Sequence, residues 1–115
     1  MSDTNLVPYL LQMIDAAARI SRYTHGMSEA DFLASTLVQD AVCMNLEVIG
    51  EVANRLPAAY QEANGEVDWR KIIALRHLIA HSYASVDLQR IWQIVTVQLP
   101  NFSITLHELL RKAHG

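Results

Sequence analysis

Within nine residues, the stretch LRHLIAHSY (75–83) brings together Arg76, His77, His81 and Tyr83 among Leu75, Leu78, Ile79 and Ala80. A guanidinium offers a planar fork of donors that fits the oxygens of a phosphate. An imidazole takes up and releases a proton near neutral pH, and a phenol adds a hydroxyl that both donates and accepts. As a set, these groups either decorate the solvent side of an ordinary helix or assemble a site. Each also has a plainer use: Arg76 in a surface ion pair, His81 as a cation at a helix C-terminus, Tyr83 as an amphipathic packing residue.

Spacing restricts how they can cooperate. Arg76 and Tyr83 are seven apart, close to one azimuth if a helix persists. His81 is five from Arg76, about 140° round a helix at 100° per residue. One straight helix therefore does not pair them. Either the helix ends near His81 and the following loop turns back, or the groups converge across an interface with a second copy. Chance alone gives an Arg-x4-His pair in roughly 30% of shuffled chains of this composition, and requiring Tyr two places later lowers that to about 1%. The composite is the informative signal. His77 and His81, four apart, share a helix face and offer two metal ligands, but no third lies near in sequence except Asp87, so neither metal nor cofactor is expected. There is no Gly-rich phosphate loop, no His-Glu-x-x-His and no Gly-x-Ser-x-Gly.

These groups need elements to hold them. With 115 residues, 51% of them hydrophobic, the chain suits one domain, 1–115, with a real core. The single cysteine, Cys43, cannot form an internal disulfide and fits a reducing compartment. LVPYLLQMI is too short an apolar run to span a bilayer, and no secretory leader is apparent, so a soluble cytoplasmic protein without a membrane partner is expected. Net charge is −3 but unevenly spread: residues 1–25 balance, 26–68 carry −7 and 69–115 carry +4. A local anion site near residues 70–90 is compatible with that division.

Four segments have helical periodicity. Leu6, Leu10, Met13, Ala17 and Ile20 form one stripe, with Pro8 in the first turn and Gly26 at the stop. A second segment opens at the Ser28 capping box and runs towards Leu56. It carries one stripe of Val42, Leu46, Ile49, Ala53 and Leu56, and another of Leu37, Ala41, Met44, Val48 and Val52. So wide a band implies two neighbours, either two helices of the same chain or a second protomer. Glu47, Gly50 and Glu51 could support a seam with a second copy, Gly50 by permitting close helix approach; the plainer reading makes Asn45, Glu47 and Glu51 polar surface. Residues 58–63 predict a helical turn. Asp68 is an N-cap for the third segment, and a fourth starts near Asp87 with a stripe from Leu88 to Ala113 whose phase survives Pro100. Trp69 and Trp92 are expected to anchor the core or an interface. The pattern predicts an all-α antiparallel bundle of four to five helices, the last kinked at Pro100.

The chain resembles the HepT-type branch of the HEPN superfamily, small all-helical ribonuclease toxins encoded beside a minimal nucleotidyltransferase (MNT-type) antitoxin. Arg76, His81 and Tyr83 match its Arg-x4-His-x-Tyr motif, with His77 in the polar slot often held by Asn. DAVCMNLEVIGEVANRL (40–56) is similar to the family's second helix and VDLQRIWQIVTVQLPNF to the helix after the motif. The resemblance implies a HEPN-like fold and a type VII toxin–antitoxin component. It further implies metal-independent cleavage of RNA (tRNA or mRNA) by Arg76 and His81 at a homodimer cleft, and neutralisation by AMPylation of Tyr83. His77, Arg70, Lys71 and Arg90 are candidate RNA contacts. The alternative is a non-catalytic helical module that binds nucleotide or substrate for a separate nucleotidyltransferase.

Overall fold

A computed structural model describes residues 3–81 and 87–114. A short 3-10 turn, Asp3–Leu6, leads into α1, Val7–Thr24. Pro8 sits in the first turn of α1, where its missing N–H has no helical partner to lose. All five residues of the predicted stripe, Leu6 to Ile20, are buried. Gly26 ends the segment with φ +75°, a left-handed conformation that glycine adopts without strain.

The second segment divides where one helix was expected. Ser28 does form a capping box, its hydroxyl accepting the Asp31 N–H at 3.1 Å while Asp31 accepts the Ser28 N–H at 3.0 Å. The helix it opens, α2, covers just Glu29–Leu33. A new cap then starts α3, Thr36–Arg55, with the Ser35 hydroxyl accepting the Val38 N–H at 3.2 Å. The Gln39 amide donates to the carbonyls of Phe32 and Leu33, both at 3.0 Å, and so satisfies the end of α2. Local capping thus outcompetes continuation. The break lets Phe32 turn inward, fully buried, with its ring 5.2 Å from that of Trp92.

The short α4, Ala58–Ala63, connects α3 to α5, Trp69–His81. Asp68 caps α5 by accepting the Lys71 N–H at 3.1 Å. Trp69 fixes the entry: its indole N–H donates to the Asn64 carbonyl at 3.1 Å, and its ring meets Phe102 edge-on at 6.3 Å. Asn64 itself is buried, with its amide donating to the Tyr60 carbonyl and its side-chain oxygen accepting from Lys112.

The last segment is continuous helix from 88 to 114, in three parts. These are α6, Leu88–Gln93, a π-helical turn, Ile94–Gln98, and α7, Leu99–His114. The irregularity falls one turn ahead of Pro100. In a regular α-helix the proline ring would strike the carbonyl four residues back, that of Thr96. The wider turn re-pairs the ladder instead, with the Leu99 N–H donating to the Ile94 carbonyl. The Thr96 hydroxyl takes the Trp92 carbonyl at 2.8 Å, and the Asn101 amide takes that of Val97 at 3.3 Å.

The long helices make an all-α bundle around one hydrophobic cluster that runs from Leu6 to Ala113. The predicted stripe from Leu88 to Ala113 is buried except for Leu88, which is half-buried, and Val42–Leu56 is buried. Burying each large side chain is worth about 1.5–3 kcal/mol, against the entropy of ordering it. The Thr4 hydroxyl donates to the Ala113 carbonyl at 3.4 Å, so the two ends of the described chain meet. Among the described residues, no helix is long and apolar enough to cross a membrane.

Candidate functional site

Helix α5 carries the motif and is held differently on its two sides. On one side it crosses α3 at Gly50. A Cβ built there would lie 2.9 Å from the Arg76 backbone nitrogen, 3.0 Å from the Arg76 Cβ and 3.1 Å from the Ile72 carbonyl oxygen. Two backbones touch at this point, and no side chain fits between them. The close approach at Gly50 is to α5 of the same chain, and the residue it seats is Arg76. Leu75 and Ile79, on the adjoining face, anchor α5 in the core.

Arg76 is solvent-exposed. The ion pairs among the described residues are Arg19–Asp15 and Arg55–Glu51, each at 3.0 Å. Arg76, Arg70, Lys71 and Arg90 enter neither, so the plainer reading of Arg76 as half of a surface ion pair is not realised among them. Glu51, a candidate to support the seam, is engaged by Arg55 four residues on.

On the other side of α5 a groove opens against the last segment. One part of it, about 260 Å³, is lined by Lys71, His77, Leu78 and Arg90 among others. A neighbouring part, about 360 Å³, adds Asp87, Gln89 and Gln93, and both share Ile94 and Gln98. Three of the four predicted supporting residues, Lys71, His77 and Arg90, therefore meet here, while Arg70 lies exposed in the first turn of α5 and does not line it. The glutamines were not singled out from sequence. Polar residues on a helix usually mark a solvated face, and nothing local tells a groove-lining Gln98 from an idle one.

Tyr83 lies outside the described residues. Of His81 the backbone alone is described, as the last residue of α5. Its register is nonetheless informative: position 81 is seven on from Ala74 and four on from His77, which places it on the groove face of α5. Arg76 and position 81 therefore stand on opposite flanks of the outward side of the helix, with position 77 between them.

One titration is displaced among the described groups. Cys43 is raised above its ordinary value, first by burial and then by the nearby carboxylates of Asp40 and Glu47, so the thiol stays protonated and unreactive. Among the described residues no group of three His, Cys, Asp or Glu gathers as a metal site. The second stripe of α3 is split: Val52 is buried, Ala41 and Val48 are half-buried, but Leu37 is 80% and Met44 69% exposed.

With this geometry established, comparison with known proteins gives a consistent result. A family model described as Ribonuclease HepT-like matches residues 13–109. A relative named "Probable ribonuclease HepT" from Thermococcus cleftensis is 30% identical over 81% of this chain and 84% of its own length. A "Putative RNase" of Caldanaerobacter subterraneus is 28% identical over 91% of this chain and 94% of its own. A third, from Methanocaldococcus jannaschii, is named "Gamma-glutamylcyclotransferase and putative RNase" and is 28% identical over 90% of this chain. This chain spans about half of that longer protein, 47%. No solved structure matches the chain.

Proposed function

Because the chain belongs to the HepT-like ribonuclease family, we propose that it is a metal-independent endoribonuclease, the toxin of a type VII toxin–antitoxin pair. The observation that carries this reading is the seating of Arg76. Its backbone is fixed on α3 at Gly50 while its guanidinium stays exposed and in no ion pair among the described residues.

The chemistry proceeds from these groups. The 2′-hydroxyl of RNA attacks the adjacent phosphorus as its proton passes to a base. The P–O5′ bond breaks, and the leaving 5′-oxygen takes up a proton. Products are a 2′,3′-cyclic phosphate and a 5′-hydroxyl. His81 is the proton carrier, and Arg76 holds two phosphate oxygens as charge builds on the phosphorane. One imidazole cannot be base and acid in the same step. A homodimer supplies two, and the exposed Leu37 and Met44 on α3 give the pair an apolar face to bury. Pairing two copies also answers the separation of Arg76 and position 81 around α5, since each can face the other copy's complement.

Tyr83 is the regulatory position. An MNT-type nucleotidyltransferase would direct its phenolic oxygen onto the α-phosphorus of ATP, releasing pyrophosphate and a proton and leaving AMP on the ring. That adds bulk and a negative charge beside a site that binds phosphate, and RNA is repelled.

Incubation of freshly purified protein with tRNA and mRNA in EDTA tests the catalytic claim. Wild type should cut, leaving cyclic phosphate ends, and Arg76→Ala and His81→Ala should each be slower by about 100-fold or more. Cleavage that survives both substitutions defeats the assignment. No cleavage by unmodified wild type points instead to the non-catalytic module that serves a nucleotidyltransferase. After co-expression with the neighbouring nucleotidyltransferase, intact mass should rise by AMP increments that vanish in Tyr83→Phe.

A further inference from the structure

The groove between α5 and the 88–98 segment is not needed for the bond-breaking step. We propose that it holds the single-stranded RNA that flanks the cleaved bond, with Lys71 and Arg90 on consecutive phosphates and the glutamines at the bases. This rests on the ribonuclease reading above and specifies its substrate as an extended single strand.

The two cations are placed by matching devices. Lys71 and Arg90 each sit three residues after a capping aspartate, whose carboxylate accepts their backbone N–H at 3.1 Å for Asp68 and 3.2 Å for Asp87. The first turns of α5 and α6 thus present one cation each to the same groove, both exposed and in no ion pair among the described residues. Asp87 is the one acid among the lining residues, and its carboxylate already accepts the Arg90 N–H.

The rest of the lining has a different character. Leu78 and Ile94 offer apolar surface to a ribose or base, and Gln89, Gln93 and Gln98 offer amides that both donate and accept. Gln98 ends the π-helical turn, the one irregular turn of the segment, and such turns recur at functional sites. Position 81 falls on the same face of α5 by helical register. Unstacked bases are what amide side chains can read in RNA, so a groove lined by glutamines suits a single strand. The net −7 of residues 26–68 makes that part of the chain unfavourable for RNA phosphates.

The test uses the full chain and fluorescent 2′-O-methyl RNA, which lacks the attacking hydroxyl and reports binding alone. A short oligonucleotide of about three residues is compared with one of about ten, long enough to track a groove. Wild type should bind the longer one about tenfold more tightly. Lys71→Gln/Arg90→Gln should lose most of that advantage and lower the slope of log affinity against log salt by about 1.4, some 0.7 for each phosphate released. Arg22→Gln/Arg111→Gln, which removes the same charge elsewhere, should keep the advantage. If the groove variant retains wild-type length dependence, or the control loses as much, the proposal is overturned. Cleavage by wild type without this length effect would defeat the groove alone; the length effect without cleavage would defeat the catalytic reading and leave the groove standing.

Discussion

The two flanks of α5 follow opposite building rules. Towards α3, Gly50 lets backbone meet backbone, and the side chain seated there, Arg76, has nowhere to shift its root. Towards the 88–98 segment, side chains of mixed character line open space, and the helices stay apart. A group that must meet a phosphate with little positional error gains from the first arrangement, since a displacement of about 1 Å can cost about 100-fold in rate. A surface that must accept different bases gains from the second. One helix of thirteen residues thus combines a fixed anchor with an adaptable bed.

Substitutions can break or sharpen that contrast. Gly50→Ala should have the largest effect, because its methyl would meet backbone atoms that cannot rotate away. The expected cost is about 1–3 kcal/mol of unfolding free energy from urea titration, with RNA cleavage reduced about 100-fold by displacement of Arg76. A variant of wild-type stability and rate would show that the crossing has slack. Trp69→Phe keeps an aromatic ring but loses part of the buried indole together with the N–H that ties α5 to Asn64, and should cost about 1–2 kcal/mol by the same measurement. On the open flank, Lys71→Gln/Arg90→Gln should change stability by no more than about 0.5 kcal/mol, since exposed cations outside ion pairs contribute little. A larger loss would mean that the groove is packed, not open.

The smallest expected effect concerns Cys43 on α3. Its thiol ionises at higher pH in the folded chain than in the unfolded one, because burial and the carboxylates of Asp40 and Glu47 disfavour the thiolate. The folded state therefore holds its proton longer. The associated stability is complete at neutral pH and declines as pH rises through the ordinary thiol range. Cys43→Ala should flatten that alkaline decline slightly in denaturant titrations, and identical pH slopes would rule the contribution out.

Much of this was legible in the order of residues. The Asp68 and Asp87 caps, the Ser28 capping box and the buried stripes of α1, α3 and α7 all follow from local chemistry or period, and each is found. The Ala34–Ser35 break was missed because Ser35 competes with a helix that periodicity alone would continue, and the Gln39 amide that settles the contest acts from further along the chain. The π-helical turn was anticipated as a bend at Pro100, since sequence registers the missing donor but not where the ladder re-pairs. The groove was invisible as a groove. Its cations were named individually, yet bringing Lys71 and Arg90 to one opening depends on how α5 and α6 pack.

The hydrogen bond from Thr4 to Ala113 has an architectural consequence. A bundle whose two ends stand side by side can be spliced into a loop of another protein with short joins, so host and guest each keep their own core. The same closeness makes circular permutation of this bundle practicable: residues 4 and 113 can be linked by a few residues and the chain reopened between them, leaving the helix order intact in space.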